Sequence, residues 1–187
     1  RFSGEGEVFY FQERVGYKNS KFKIWKFATM IKDSPNIGSK DITLRDDPRV
    51  TKVGKFLRKT KLNELPQLFN IILGDISIVG PRPFMETSFK KYSKEIQKTI
   101  YNIKPGLTGI GSIVFRDEES IISSIKDEDP HEYYRRVISP YKGALEIWYQ
   151  EKRSLLVDFQ LIILTAFAVL FPNTNIIHKF FKDLPER

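Results

Sequence analysis

The feature that most constrains the fold of this chain is an unbroken apolar run near its C-terminal end, Leu161–Phe171 (LIILTAFAVLF). A helix that crosses a bilayer needs about 20 predominantly apolar residues, so this run is too short to span one. The run therefore predicts either a buried core helix or a helix that lies in the membrane interface. Basic and aromatic residues flank it, and this combination favours contact with an anionic lipid surface. The flanking residues are Lys152, Arg153, Lys179 and Lys182, with Trp148, Tyr149, Phe180 and Phe181.

The charge of the chain points to an anionic partner. Its formal net charge of +8 suits a nucleic acid, an anionic lipid or a phosphorylated metabolite, although a merely basic soluble surface would give the same value. No motif of a nucleic-acid-binding domain accompanies the charge, so we expect no nucleic acid partner. The chain has no cysteine, and His131 and His178 are its only histidines. This composition excludes disulfides, thiolate metal sites and a multi-histidine zinc centre.

The order of the sequence patterns predicts an α+β fold. Residues 7–14 and 21–30 are aromatic-rich and partly alternating, and the linker between them contains Gly16, so they predict a β-hairpin. From Val53 onward, apolar residues recur at helical spacing. We therefore expect one domain over residues 1–187, with a small N-terminal β-hairpin or sheet packed with several amphipathic helices. The predicted helices cover residues 53–59, 62–73, 84–101, 129–153 in two pieces around Pro140, and 155–171.

The segment that carries chemistry is residues 47–83. Pro66 has no N–H and belongs in the first turn of its helix, which places Asn63 and Glu64 at the helix N-terminus. The free N–H groups and the dipole favour an anion there. Arginines lie on both sides, at Arg49, Arg58 and Arg82. Together these features indicate a phosphate-handling site, although spacing alone also allows an ordinary helix-start charge and ordinary surface arginines.

Ordered motifs extend this segment over most of the chain. They comprise Phe11, Gln12, Arg14 and Gly16; Lys26–Met30; Asp47–Thr51 with Gly54 and Arg58; Leu62–Gln67 with Asn70; Gly74–Pro83; Lys104–Gly109; and Ser154–Asp158. Over roughly residues 5–170, they resemble the monotopic phosphoglycosyl transferases, which are bacterial sugar transferases that initiate capsule, O-antigen and related glycans.

The resemblance implies a catalytic domain in the membrane interface, at the cytoplasmic face of the bacterial inner membrane. Members of this family transfer a sugar 1-phosphate from a UDP-sugar to polyprenyl (undecaprenyl) phosphate and release UMP. An adjacent Asp-Glu pair and Mg²⁺ carry the chemistry, with the Asp as nucleophile. The family also has an upstream re-entrant membrane helix. No such segment precedes Phe2, so residues 1–187 are expected to be the catalytic domain without it.

Carried over position by position, the resemblance implies a catalytic role and a Mg²⁺ site for Asn63 and Glu64. It implies substrate or phosphate binding for a second set of residues, Lys26, Asp47, Arg49, Arg58, Arg82 and Arg116. The partners that it implies are a UDP-sugar, polyprenyl phosphate and an anionic membrane surface.

Three positions depart from the family pattern. Asn63 stands in place of the nucleophilic Asp, and a neutral amide is a poor nucleophile. Either Glu64 takes the role of nucleophile or base, or the carrier phosphate attacks directly, or the protein is inactive or engineered. The alternative function is that of a non-catalytic relative that binds nucleotide-sugar or lipid phosphate as a scaffold or regulator. Ala28 replaces a basic residue, and residues 111–116 replace the usual ending of their motif while retaining Arg116.

Overall fold

The computed structural model describes residues 5–37, 46–125, 127–171 and 176–186, which form an α+β fold, as the sequence predicts. The strands are β1 (Phe9–Val15), β2 (Lys21–Phe27), β3 (Ser77–Val79) and β4 (Gly106–Thr108). The α-helices are α1 (Lys52–Lys59), α2 (Gln67–Leu73), α3 (Glu86–Phe89), α4 (Lys94–Thr99), α5 (Ile110–Val114), α6 (Glu118–Ser123), α7 (Pro130–Tyr133), α8 (Ser139–Lys152), α9 (Leu155–Leu170) and α10 (Ile177–Phe180).

The predicted hairpin is confirmed. Strands β1 and β2 pair antiparallel from Phe9 opposite Phe27 to Val15 opposite Lys21. Aromatic rings stabilise one face of the pair, because Phe11 meets Trp25 edge-on with ring centroids 4.8 Å apart. A short 3-10 turn joins the strands.

The predicted helix over residues 62–73 is interrupted at its start. A 3-10 turn, Leu62–Glu64, comes first, and α2 begins only after Pro66, which lacks the N–H that a continuous helix would need. Gly74 ends α2 in the left-handed conformation, as predicted, with φ of +80°.

Helix α2 buries polar side chains and exposes apolar ones, which is the reverse of an ordinary surface helix. Its polar residues Gln67 and Asn70 are buried, whereas the apolar residues of the predicted stripe face outward. The exposed residues of this stripe are Leu62, Leu65, Leu68, Phe69 and Ile72. An exposed apolar face of this kind marks a surface that contacts another apolar phase or partner.

The single helix predicted over residues 84–101 is wrong. The structure has two short helices there, α3 and α4. Ser93 begins α4 because its hydroxyl accepts a hydrogen bond from the N–H of Ile96 at 3.3 Å, so the side chain caps a new helix. Phe89 and Tyr92 pack into a small core cluster at the break between the two helices.

The turn predicted at residues 104–106 leads directly into a strand that the sequence did not indicate. Strand β4 pairs parallel with β3, with Ser77 opposite Gly106 and Val79 opposite Thr108. The crossing is very close, since a Cβ on Gly106 would overlap the backbone nitrogen of Gly80. Glycine at both positions is therefore what allows the two segments to meet.

The main core lies around α5, α8 and α9. A π-helical segment, Tyr134–Ile138, leads into α8, whose first turn contains Pro140. This position agrees with the predicted division of the helix at that proline. Trp148, Tyr149 and Phe181 belong to this core, so of the predicted aromatic flank only Phe180 is exposed.

Helix α9 confirms the predicted helix over the apolar run, with one face in the core and the other exposed, and contact of the exposed face with lipid stays a prediction. Leu161, Leu164 and Ala168 face the core, whereas the opposite face is apolar and exposed, with Leu155 at 90% exposure. The other large exposed residues of this helix are Leu156, Phe159, Ile162, Ile163 and Leu170. Within the described ranges, no helix is long and apolar enough to cross a membrane.

Candidate active site

The centre of the site is the carboxylate of Glu64. The residue lies in the 3-10 turn that follows Lys61, which adopts the left-handed conformation with φ of +61°. Its side chain is only 17% exposed, and its Oε1 lies 3.5 Å from the Nζ of Lys26 and 3.5 Å from Nη2 of Arg82. Three separate parts of the chain thus meet at one carboxylate.

A small cavity opens beside this group. Strands β1 and β2 contribute Arg14, Ile24 and Lys26, because these residues lie on one face of the hairpin. The segment after β3 contributes Arg82 and Pro83, and β4 contributes Gly106 and Leu107. Glu64 and Gln67 complete the lining.

The cavity is strongly electropositive. Burial raises the pKa of Glu64, but the neighbouring charges of Lys26, Arg82 and Lys61 outweigh that effect, so its pKa lies well below the usual range and the carboxylate is ionised. Burial, together with repulsion from Arg14 and Arg82, lowers the pKa of Lys26 to about 8 in spite of Glu64.

Burial and neighbouring charges also shift the pKa values of Arg14 and Arg82. Burial and the charge of Arg82 lower the pKa of Arg14 to about 10, whereas Glu64 raises the pKa of Arg82. One carboxylate therefore faces four basic side chains, those of Arg14, Lys26, Lys61 and Arg82. An anionic ligand with more than one negative charge would neutralise this excess of positive charge.

Two buried amides at the site have unused polar atoms. Asn63 Oδ1 and Gln67 Nε2 have no hydrogen-bond partner among the described residues. A buried polar atom without a partner is costly, so a bound group would satisfy it. Asn63 offers an acceptor next to Glu64, and Gln67 offers a donor in the cavity wall.

Asp47 and Arg49 are not brought to this cavity. They form a buried ion pair, with Arg49 Nη2 2.6 Å from Asp47 Oδ2. Nη1 of Arg49 also donates to the carbonyl oxygens of Ser34 and Ile37, at 3.0 and 2.9 Å. These contacts tie the segment before α1 to residues 34–37. A phosphate-binding role for the pair stays a prediction.

Arg58 and Arg116 also lie outside the cavity lining. Arg58 on α1 forms an ion pair with Glu119 on α6, and it adds to the positive potential at Lys26. Arg116 donates from Nη2 to the carbonyl of Val169 at 3.3 Å, and its buried Nη1 has no partner among the described residues. Their roles in binding phosphate likewise stay predictions.

Three residues at the site, Arg14, Lys61 and Gln67, are not among the site residues predicted from the sequence. The sequence does predict the position of Arg14, because side chains alternate between the two faces of a strand and this alternation places Arg14 on the same face of the hairpin as Lys26. It also donates from Nη1 to the carbonyl of Pro83 at 3.2 Å, which links β1 to the segment that holds Arg82. Gln67 belongs to the motif Leu62–Gln67, whereas Lys61 carries no such signal, because its position depends on how the turn at residues 61–66 folds.

Comparison with known proteins shows the family of the chain. The model of the family described as bacterial sugar transferase matches residues 1–172. The undecaprenyl-phosphate galactose phosphotransferase of Salmonella typhimurium is 32% identical, with 88% of this chain and 34% of that protein covered. The exopolysaccharide production protein ExoY of Sinorhizobium fredii is 35% identical, with 90% and 73% covered.

A third relative is the galactosyl transferase CpsE of Streptococcus agalactiae, which is 35% identical, with 88% of this chain and 35% of that protein covered. The chain thus spans about a third of the length of the Salmonella and Streptococcus proteins. The family match covers nearly the whole chain and the same ordered motifs that surround Glu64. The chain belongs to the bacterial sugar transferase family.

Proposed function

We propose that this chain transfers a sugar 1-phosphate from a UDP-sugar to polyprenyl (undecaprenyl) phosphate and releases UMP, as the first membrane step of capsule, O-antigen or exopolysaccharide assembly. The observation that carries the proposal is the cavity in which Glu64 lies beside three basic side chains, Arg14, Lys26 and Arg82, while the charge of Lys61 acts from outside the lining. The relatives' names support the reaction class, since one is an undecaprenyl-phosphate galactose phosphotransferase.

The basic side chains would hold the diphosphate of the donor. Arg82 is suited to this role because its side chain is 38% exposed while one nitrogen remains beside Glu64. A guanidinium can bind two phosphate oxygens at once, and Arg14 and Lys26 add charge from the hairpin. Charge that moves onto the departing UMP during transfer would be stabilised by the same groups.

The attacking group is an oxygen anion, because the Asn63 amide cannot serve. In one route, an oxygen of Glu64 forms a bond to the sugar-bearing phosphorus while UMP leaves, and the carrier phosphate then displaces Glu64. In the other route, the carrier phosphate forms that bond directly and UMP leaves in the same step. The routes differ in one measurable respect, since only the first releases UMP before the acceptor is added.

We also propose that Mg²⁺ takes part. Glu64 is ionised, Asn63 Oδ1 is a buried oxygen without a partner among the described residues, and Mg²⁺ binds one or two carboxylates together with substrate phosphates. The described residues contain no cluster of three or more acidic or histidine ligands, so the substrate phosphates would supply much of the coordination. The ion would neutralise charge on the diphosphate.

The site would work at the cytoplasmic face of the bacterial inner membrane. The exposed apolar faces of α2 and α9 support this proposal, because such faces gain free energy when they enter the headgroup and acyl boundary. The basic residues at the end of the chain would add attraction to anionic lipid.

The test is UMP release from a panel of UDP-sugars with undecaprenyl phosphate in vesicles, with and without Mg²⁺. We expect repeated turnover, with UMP released in excess over the protein, to need acceptor, Mg²⁺ and one preferred sugar. A second candidate function is supported by Asn63 alone, namely a non-catalytic protein that binds nucleotide-sugar or lipid phosphate. Saturable binding of a UDP-sugar by calorimetry, with no UMP release under any condition, would favour this second function and contradict the first.

A further inference from the structure

Asn70 on α2 is fully buried, and all three of its side-chain hydrogen bonds reach outside its own helix. Its Oδ1 accepts from the backbone N–H of Trp25 at 3.0 Å, and its Nδ2 donates to the backbone carbonyl of Lys23 at 2.8 Å. Nδ2 also donates to Oδ2 of Asp75 at 2.9 Å. A single amide thus joins β2, α2 and the residue after the cap of α2.

The side-chain amide of Asn70 makes hydrogen bonds to β2 of the kind that the backbone of a third strand would make. Strand β2 pairs only with β1 in the described sheet, so its other edge presents free backbone groups. Lys23 and Trp25 are two residues apart, and their carbonyl and N–H point to the same edge. Asn70 offers one acceptor and one donor at the spacing that this edge requires.

This joint fixes the two sides of the active site relative to each other. Lys26 follows Trp25 directly on β2, and Glu64 lies two turns before Asn70, on the segment that leads into α2. The distance of 3.5 Å between Lys26 Nζ and Glu64 Oε1 therefore depends on how closely β2 is held to α2.

We propose that Asn70 is a positioning residue, which sets the distance between Lys26 and Glu64 through its hydrogen bonds to the free edge of β2. This role rests on the proposed function, since it matters for transfer only if the cavity is the active site. Asn70 does not line the cavity, so it would act on the reaction through the residues that it positions.

The first test is the near-isosteric substitution Asn70→Leu. We expect kcat/KM for UMP release to fall by about tenfold to 100-fold, because a small misplacement of reacting groups has an effect of that size. We also expect zero-length carbodiimide coupling between Lys26 and Glu64, measured by mass spectrometry, to fall several-fold. Asn102→Leu, at an exposed asparagine, is the matched control and should keep both values.

The second test is rescue. Asn70→Asp keeps the acceptor for Trp25 but places a carboxylate against Asp75 and the carbonyl of Lys23, so both readouts should fall. Adding Asp75→Asn restores an amide donor opposite that carboxylate and should recover part of the loss. A merely structural role would not predict recovery of coupling between Lys26 and Glu64 in step with recovery of kcat/KM.

Coupling needs no turnover, so it tests the joint separately from the reaction. If the parent chain couples Lys26 to Glu64 but releases no UMP, the proposed function fails. The inference itself is overturned if folded Asn70→Leu, judged by circular dichroism, keeps the parent coupling yield and kcat/KM. It is also overturned if Asn70→Asp lowers the coupling yield and kcat/KM and the added Asp75→Asn substitution recovers neither value. If Asn70→Leu does not fold, the comparison of Asn70→Asp with the double variant decides between the outcomes.

Discussion

Two carboxylates near Arg82 have opposite ionisation behaviour. Glu64 is held ionised by basic neighbours, whereas Glu146 on α8 is fully buried and neither of its oxygens has a hydrogen-bond partner among the described residues. Burial raises the pKa of Glu146 to about 8, although the backbone N–H of Arg82 and the charge of Lys142 act in the other direction.

Glu64→Gln should remove transfer activity while leaving the fold intact. The amide keeps the shape of the side chain but cannot attack, hold Mg²⁺ strongly or balance Lys26 and Arg82. We expect a loss of at least about 100-fold in kcat, which is the lower range for removal of a catalytic acid or base. Initial rates of UMP release measure it. Glu13→Gln, which changes an exposed carboxylate paired with Lys21, is the control. Near-parent rates in folded Glu64→Gln would contradict the assignment.

Glu146→Gln should stabilise the protein at neutral and alkaline pH. An unfolded Glu releases its proton near pH 4.5, whereas the folded protein retains it up to about pH 8. Between these values the folded state binds more protons, so the stability of the parent falls as pH rises and levels off above about pH 8. The variant lacks this slope. Its advantage should be near zero below about pH 4.5 and grow to about 5 kcal/mol above pH 8, because each unit of the difference between about 8 and 4.5 contributes about 1.4 kcal/mol.

Urea denaturation at a series of pH values measures this difference. Equal slopes of unfolding free energy against pH in parent and variant would show that Glu146 is ionised in the folded protein.

The sequence predicts part of the site at this scale. Glu64, Lys26 and Arg82 come together as expected from their motifs. The motifs do not separate them from Arg49 and Asp47, which form a buried ion pair outside the cavity lining and whose role in phosphate binding stays a prediction. A charged residue in a motif can bind a ligand or a protein partner, and only the three-dimensional arrangement decides between them.

At the scale of elements, β3 and β4 cross at very close range, because Gly106 and Gly80 have no Cβ. Alternation predicts the hairpin and the long apolar run predicts α9, because each pattern extends over many residues. Neither pattern can predict two strands of three residues that pair parallel across a long separation in sequence. The apolar stripe of α2 likewise predicts a helix correctly, but the spacing of a stripe does not show whether the apolar side chains face the core or the protein surface.

Gly106→Ala should destabilise the fold and impair the site together. The added Cβ would overlap backbone atoms of Gly80 and Val79, which cannot move aside as a flexible side chain would. We expect a loss of about 1–3 kcal/mol or more in the free energy of unfolding, measured with urea. Activity should fall as well, because Gly106 and Leu107 line the cavity. Ile78→Ala, at an exposed position of β3, is the control and should have a small effect.

At the scale of the whole molecule, apolar surface and positive charge occur together. The chain carries a net charge of +8, and α2 and α9 expose apolar faces rather than burying them. Lys152 is engaged by Asp183 at 2.9 Å, so it contributes less to an external surface than its position in the sequence suggests. The remaining basic residues after α9 carry more of the expected attraction to lipid.

Lys179→Glu combined with Lys182→Glu should weaken binding to anionic vesicles. Each basic residue near such a surface contributes about 1 kcal/mol, so the pair should lower the partition coefficient by more than about tenfold. Co-sedimentation with neutral and anionic vesicles, at low and high salt, measures it. Lys94→Glu with Lys98→Glu on α4 changes the net charge equally and serves as the control. If both pairs act equally, net charge alone determines binding.

The dependence of β2 on Asn70 has a consequence for the order in which the nascent protein gains structure. A two-stranded hairpin alone is at best marginally stable in water. The hairpin is synthesised before α2, so its outer edge has no partner until Asn70 has left the ribosome. During that interval Arg14 and Lys26 also lack the carboxylate of Glu64. We therefore expect the N-terminal hairpin to become ordered only after α2 has emerged, even though it is made first.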